Sequence, residues 1–230
     1  MNTGYKLIGK CLQEDYCQNL FNKINSAHQE HTKNSEKLAG GISGHLNCVL
    51  GEESSIILER LQEYNGMKEM ANFFQIDLDE YHVSVGCNVN LPGSKLQHIH
   101  YDGDYDEESF ILNIPLIDTT KMNGAIKIIP ESHTFKRSYL GYILSGISKK
   151  TLQIESKQGQ GLIRSSNAWH RGTPNRTDII RPMLNIVLYK IDSPYSKDAI
   201  KDDLEYTKGK IRFRDNWYLA TSLPRRLQEY

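Results

Sequence analysis

The sequence has no excess of charge of either sign and no long apolar run. Lysine and arginine together number 28, and aspartate and glutamate also number 28, so the formal net charge is zero. This balance gives no whole-chain attraction to nucleic acid, and no run approaches the roughly 18 apolar residues of a membrane span. The polar start MNTGYK lacks the apolar centre of a signal peptide. We expect a cytoplasmic protein, monomer or homodimer, with no nucleic-acid or membrane partner.

Paired cysteines and two common catalytic loops are also missing. The four cysteines form no C-x-x-C pair, so we interpret them as reduced, mostly buried thiols. The glycine-rich segment Gly40-Gly41-Ile-Ser-Gly44 has neither the spacing nor the lysine of a phosphate-binding loop. A G-x-S-x-G motif is absent, which argues against a serine hydrolase of the elbow type.

The pattern of apolar residues changes from helical to strand-like along the chain. Helical spacing predicts one helix within Gln13–Lys37 and a second over about Glu52–Tyr64. From Tyr81 to Leu91 apolar and polar residues alternate, which predicts a half-buried strand. Further strands are predicted at Phe110–Leu116, Ala125–Ile129, Thr151–Glu155, Gly161–Arg164 and Met183–Tyr189.

Short strands with turn residues between them are typical of antiparallel sandwiches and barrels. We therefore predict a mainly β (α+β) protein, with a double-stranded β-helix, or jelly-roll, core and N-terminal flanking helices. The 230 residues suit one domain. Within it we expect a mainly helical flank (1–74), a β-core (75–190) and a C-terminal extension (191–230).

Three residues have the types and spacing of a metal site. His100 and Asp102 are two positions apart, so on a strand they would face the same side. His170, much later in the chain, could close the site from a neighbouring strand. Two imidazoles and one carboxylate on one face of a metal ion are the ligand set of non-haem Fe(II) oxygenases.

Arg181 follows His170 after the turn-forming stretch Thr173–Thr177. We expect a hairpin that returns Arg181 beside the strand of His170, with its guanidinium near the metal. A planar guanidinium is suited to binding a carboxylate through two hydrogen bonds.

Taken together, these motifs resemble the phytanoyl-CoA dioxygenase-like family of Fe(II)/2-oxoglutarate oxygenases over about Gln97 to Tyr189. The similarity consists of His100-Tyr-Asp102, the segment from Asn123-Gly124 to Ser132-His133, Gly159 ahead of His170, and Arg181. The sequence departs from the family pattern in three places. Glu131 replaces a usual glycine, Gln160 replaces an aspartate, and Arg164 stands where a phenylalanine is frequent.

The resemblance implies roles for these residues. His100, Asp102 and His170 would hold iron, and Arg181 would bind the distal carboxylate of 2-oxoglutarate. With O2 and 2-oxoglutarate as cosubstrates, the enzyme would oxidise, most often hydroxylate, an unactivated C–H bond and release succinate. Asn113 and Thr173 are further candidates for contacting 2-oxoglutarate.

An alternative assignment pairs His98 with His100 as the H-x-H motif of a metal-binding cupin, such as an isomerase or a small-molecule sensor. Asp104 is the only acid near the position where such a cupin needs a glutamate. A catalytically silent jelly-roll binding domain is a third possibility. In the oxygenase interpretation, His98 is left as a residue on the substrate side of the metal.

The loop after Asp102 is acidic, and it includes Asp104 and Asp106. Negative charge at the mouth of a site would concentrate cations and repel anions. We therefore expect a small polar substrate that carries an amine or a guanidine, with Asp104 and Asp106 among the residues that contact it.

Overall fold

The computed structural model describes residues 3–34, 44–102, 108–134, 151–193, 196–197 and 205–213. Three helices lie in its N-terminal part: α1 (Glu14–Asn34), α2 (Glu53–Gln62) and α3 (Gly66–Phe74). The two predicted helices correspond to α1 and α2, whereas α3 was not predicted. None of the helices in these ranges is long and apolar enough to cross a membrane.

Helix α1 is stabilised by acidic residues at its N-terminus and by a stripe of buried apolar residues along one face. Glu14 and Asp15 lie in the first turn, where negative charge interacts favourably with the helix dipole. Cys17, Leu20 and Ile24 follow at helical spacing and are completely buried. These three side chains attach α1 to the main core.

Within the described residues, ten strands form two antiparallel sheets. The large sheet has the order β1-β7-β4-β9-β3-β2-β10, and the small sheet has the order β6-β5-β8. The strands are β1 (Tyr5–Lys10), β2 (His45–Val49), β3 (Tyr81–Asn90), β4 (Ser109–Pro115), β5 (Lys127–Ile128), β6 (Leu152–Gln153), β7 (Gln160–Ser165), β8 (His170–Arg171), β9 (Arg181–Lys190) and β10 (Arg212–Phe213). The predicted mainly β, jelly-roll fold is confirmed, and each strand predicted for the core is present.

The strands outside the predicted core change the expected organisation. Strand β1 pairs with β7, and β2 pairs with β3, so the flank adds two strands to the large sheet as well as three helices. Strand β10, from the C-terminal extension, pairs with β2. Sheet pairing therefore crosses both boundaries that the sequence suggested, at residues 74 and 190.

The two faces of the large sheet differ in polarity. On one face, apolar side chains such as Leu112, Leu184 and Val89 join the helices in the main hydrophobic core. The opposite face carries polar side chains at the alternating positions, including Asn88, Asn113 and Asn185, which line a cavity. The period-two pattern thus separates the residues that stabilise the fold from those that are available to a ligand.

Candidate active site

His100, Asp102 and His170 converge at one end of the small sheet. The backbones of the two histidines exchange hydrogen bonds, from His100 N to His170 O (2.9 Å) and from His170 N to His100 O (2.8 Å). Asp102 is held nearby because its amide donates to Ser166 O at 2.9 Å. One ligand atom from each of the three side chains lies within 4.8 Å of the other two. Three residues distant in sequence thus form a set of ligands that could hold one metal ion.

Both imidazoles are oriented by backbone carbonyls. Nδ1 of His100 lies 2.8 Å from His98 O, and Nδ1 of His170 lies 2.9 Å from Ala168 O. Because a carbonyl oxygen only accepts, each Nδ1 carries a hydrogen, and in the neutral ring Nε2 then keeps the lone pair that binds a metal. The Nε2 atoms lie 3.6 Å and 3.4 Å from the carboxylate oxygens of Asp102. A hydrogen bond from one ring nitrogen to a backbone carbonyl, as Nδ1 makes in both residues, is typical of histidines that bind a metal through the other nitrogen.

The charges around the site favour its metal-binding protonation states. Burial opposes the ionisation of Asp102, but His170, Arg164 and His100 outweigh it and lower the pKa of the carboxyl group. Burial, followed by the charge of Arg164, lowers the pKa of His170 to about 3. At neutral pH Asp102 is therefore ionised and His170 is neutral, as metal coordination requires.

Arg181 is the first residue of β9, on the cavity face of the large sheet. Its side chain is buried, Nη2 donates to Gly124 O at 3.0 Å, and Nε has no hydrogen-bond partner among the described residues. Burial lowers the pKa of Arg181 to about 10, so the guanidinium stays charged at neutral pH. A buried cationic donor without a partner is suited to an anionic ligand.

The predicted hairpin between His170 and Arg181 is wrong. His170 belongs to the small sheet, whereas Arg181 pairs with Asn90 in the large sheet. Asn175 directs the connection between them, because its Nδ2 donates to Asn90 O and to Ile179 O. The chain therefore crosses between the two sheets, and Arg181 approaches the cavity from the opposite wall.

The other predicted contact residues differ in their positions. Asn113 lines the cavity, where Nδ2 donates to Asn185 and Oδ1 accepts from Arg164. The buried hydroxyl of Thr173 donates to the carbonyl of Ala125, and Thr173 is not among the residues that line the cavity.

The side chain of His98 is exposed, and it belongs neither to the ligand cluster nor to the cavity lining. The backbone carbonyl of His98 is the part of that residue that reaches the site, through Nδ1 of His100. Asp104 and Asp106 lie outside the described residues.

Sequence reasoning missed the role of Arg164. This β7 residue is 4% exposed, and its Nη2 donates to Asp102 Oδ2 at 2.6 Å. It also missed Asn185, the partner of Asn113 on β9. The available signal was the alternation itself, since both polar side chains stand at positions that face away from the apolar core.

The cavity has a volume of about 350 Å³ and extends between the two sheets. Among the described residues that line it, the charged side chains are one carboxylate and two guanidiniums: Asp102, Arg164 and Arg181. The two candidate metal-binding histidines border it as well. A metal at the histidines would therefore be open to small molecules in the cavity.

The site residues occur in the order and the fold of one family. The family model described as phytanoyl-CoA dioxygenase (PhyH) matches residues 4–183. The chain belongs to the phytanoyl-CoA dioxygenase family. This membership, with the His-Asp-His cluster, confirms the predicted enzyme class and the predicted use of iron and 2-oxoglutarate. The donor set itself fits Fe(II), since two imidazoles and one carboxylate leave positions open for other ligands.

Solved structures share this phytanoyl-CoA dioxygenase fold at low sequence identity. AviO1 from Streptomyces viridochromogenes Tue57 is 16% identical with a TM-score of 0.66, over 84% of this chain and 92% of that one. The epimerase SnoN, crystallised with Fe3+, α-ketoglutarate and nogalamycin RO, is 14% identical with a TM-score of 0.59, over 82% and 80%. A nickel complex of the non-haem monooxygenase ThoJ is 14% identical with a TM-score of 0.58, over 99% and 96%.

Proposed function

We propose that the protein is an Fe(II)- and 2-oxoglutarate-dependent dioxygenase that oxidises, most often by hydroxylation, a C–H bond of a small polar molecule. In this proposal His100, Asp102 and His170 are the iron ligands. The observation that carries it is the convergence of two carbonyl-oriented imidazoles and one ionised carboxylate at the edge of a cavity. With iron bound, such a site couples the reduction of O2 to the decarboxylation of 2-oxoglutarate and to the oxidation of a second substrate.

The protein residues position the reactants. The backbone carbonyls of His98 and Ala168 hold the imidazoles with Nε2 directed at Asp102. Because these contacts come from the protein's own backbone, they limit the side-chain entropy that is lost on metal binding. The Asp102 carboxylate supplies the negative charge that a divalent cation needs.

Arg181 is proposed to bind the distal carboxylate of 2-oxoglutarate. Its Nε is buried without a hydrogen-bond partner among the described residues, and its charge is desolvated. A carboxylate in the cavity would satisfy that donor and neutralise the charge. Asn113 lines the same cavity, where Arg164 and Asn185 hold its side chain, and it would contact 2-oxoglutarate there.

Structural neighbours of this fold differ in the reactions they catalyse. Among the structural neighbours, SnoN is an epimerase, SnoK is a carbocyclase and ThoJ is a monooxygenase, so one fold carries several outcomes. A cavity of about 350 Å³ suits small molecules. The expectation that the substrate carries an amine rests on Asp104 and Asp106 and stays a prediction from the sequence.

Anaerobic titration tests the proposed function. Fe(II) followed by 2-oxoglutarate should produce the visible charge-transfer band of a keto acid chelated to iron, and oxygen should then convert 2-oxoglutarate to succinate. His98→Ala should retain the band, whereas His100→Ala should lose it, because only His100 is proposed to bind the metal. A wild-type protein that binds Fe(II) but forms no band would exclude the proposal. Loss of Fe(II) binding in His98→Ala, together with its retention in Asp102→Ala, would favour the cupin assignment.

A further inference from the structure

Arg164 is a second buried guanidinium in the cavity wall, separate from Arg181. Arg164 of β7 and Val187 of β9 both pair with Ile111 of β4, which lies between them. Arg164 is therefore at the same level of the sheet as Val187. The backbone positions of Val187 and Arg181 are roughly 20 Å apart at the usual rise of a strand. The two guanidiniums therefore reach the cavity from different places and can bind different anionic groups.

Hydrogen bonds hold the guanidinium of Arg164 in one orientation. Nε donates to Asn113 Oδ1 at 3.0 Å, and Nη2 donates to Asp102 Oδ2 at 2.6 Å. Asn113 is itself held by Asn185, so the chain of contacts runs from the candidate metal ligand across β7, β4 and β9. A planar guanidinium fixed at two of its nitrogens directs the third to a defined place.

The third nitrogen, Nη1, is buried and has no hydrogen-bond partner among the described residues. The whole side chain is only 5% exposed, so water does not readily replace a partner. A charged donor that is buried and unsatisfied is costly, and such positions in a cavity commonly serve a ligand. Arg164 lines the cavity, so that ligand would be a molecule bound in the cavity.

The charge balance points to an anion. The described residues that line the cavity supply two guanidiniums and one carboxylate, that of Asp102. A divalent metal ion adds two positive charges, and 2-oxoglutarate removes two. One positive charge then remains uncompensated, and Arg164 is the guanidinium that adjoins the metal ligands.

We propose that Nη1 of Arg164 binds a carboxylate, or a similar oxyanion, of a molecule held beside Asp102. The proposal rests on the proposed function. Two sources have this chemistry: the C1 carboxylate of 2-oxoglutarate and an anionic group of the second substrate. The second source is compatible with a substrate that carries an amine, since a zwitterion such as an amino acid derivative carries both charges. The phenylalanine that is frequent at this position in the resembled family cannot make the contact.

Two variants and one control test the proposal. Arg164→Gln removes the charge. Arg164→Phe introduces the residue that is frequent at this position in the family. Arg176→Gln removes an exposed arginine and is the matched control. Fe(II) affinity is measured first for each protein, and 2-oxoglutarate is then titrated anaerobically at saturating Fe(II), with the visible band as readout. If the C1 carboxylate is the partner, both Arg164 variants should raise the Kd of 2-oxoglutarate by about tenfold or more.

The second arm uses acetate as a probe for a substrate carboxylate. Acetate, or acetamide as its neutral isostere, is added to the anaerobic complex with Fe(II) and 2-oxoglutarate at constant ionic strength. If a substrate anion is the partner, acetate should perturb the band saturably in wild type and Arg176→Gln, but not in the Arg164 variants. Acetamide should have no effect in any of the four proteins.

The outcomes separate this proposal from the proposed function. Absence of the band in wild type defeats the proposed function, and this proposal with it. A normal band with an unchanged Kd of 2-oxoglutarate in both Arg164 variants, and no response to acetate in wild type, defeats this proposal alone. Loss of Fe(II) binding in both variants would also overturn it, because Arg164 would then serve only to hold Asp102.

Discussion

At the scale of single residues, each candidate metal-binding imidazole is oriented by a carbonyl two positions earlier in the chain. His100 uses His98 O, and His170 uses Ala168 O. The same local contact therefore orients the ring of both histidines, although the two residues are distant in sequence. The backbone of His98 supports the site, while its side chain is exposed. The orientation depends on local backbone conformation and on the β-bridge between the two histidines.

Replacement of Arg181 by leucine should weaken 2-oxoglutarate binding without weakening Fe(II) binding. Removing one side of a buried charge pair costs about 2–5 kcal/mol, which is at least about 30-fold in Kd. The anaerobic charge-transfer band measures this Kd, and Arg176→Leu on the exposed surface is the control. An unchanged Kd in Arg181→Leu would show that another residue binds the distal carboxylate.

At the scale of secondary-structure elements, Gly159 connects β7 to the N-terminal segment. Its carbonyl accepts hydrogen bonds from the amides of Cys11 and Leu12, and its amide donates to Pro115 O. Its φ is +74°, and a Cβ there would lie 2.3 Å from Leu12 O. The segment just before α1 therefore packs against the residue just before β7 only because this position lacks a side chain.

Gly159→Ala should destabilise the protein more than Gly93→Ala does. Gly93 has nearly the same φ, +73°, but nothing lies within 4 Å of a Cβ built there. Backbone strain is therefore similar in the two variants, and the difference isolates the clash, which we expect to cost about 1–3 kcal/mol. Urea denaturation measures both free energies of unfolding. Equal losses of stability would contradict the proposed close packing of β7 against residue 12.

At the scale of the whole molecule, the two faces of the large sheet have different surroundings. Its apolar face packs under the three helices, and its polar face borders the cavity. Successive side chains along a strand point alternately to the apolar face and to the polar face. Leu112 and Asn113, or Leu184 and Asn185, are therefore neighbours in sequence with different consequences when they are changed.

Leu112→Ala should lower the free energy of unfolding while leaving the Kd of 2-oxoglutarate unchanged in the folded protein. Leu112 is completely buried, and truncation of such a leucine to alanine costs about 2–5 kcal/mol. Ile56 is 38% exposed, so Ile56→Ala is the control and should stay within about 0.5 kcal/mol of wild type. Denaturation and anaerobic titration of the same samples give both quantities. A substantial change in the Kd of 2-oxoglutarate in Leu112→Ala would contradict the separation of the two faces.

The sequence by itself determined the strands of the core and the three candidate metal ligands. Alternation of apolar and polar residues has period two whatever the strand pairs with, so Tyr81–Asn90 could be read directly. The spacing of His100 and Asp102 is likewise local. Helix α3 and strand β2 are short and lack so regular a pattern, and neither was predicted.

Only the tertiary structure decided which sheet carries Arg181 and that Arg164 adjoins Asp102. Arg164 and Asp102 are 62 residues apart, and their contact depends on the pairing of β7 with β4 and on the bond from Asp102 N to Ser166 O. Arg181 crosses to the large sheet because Asn175 bonds to Asn90 O, a contact 85 residues apart. Periodicity describes how one strand presents its own faces. The neighbours of those faces are set by the packing of the whole chain, which local patterns do not encode.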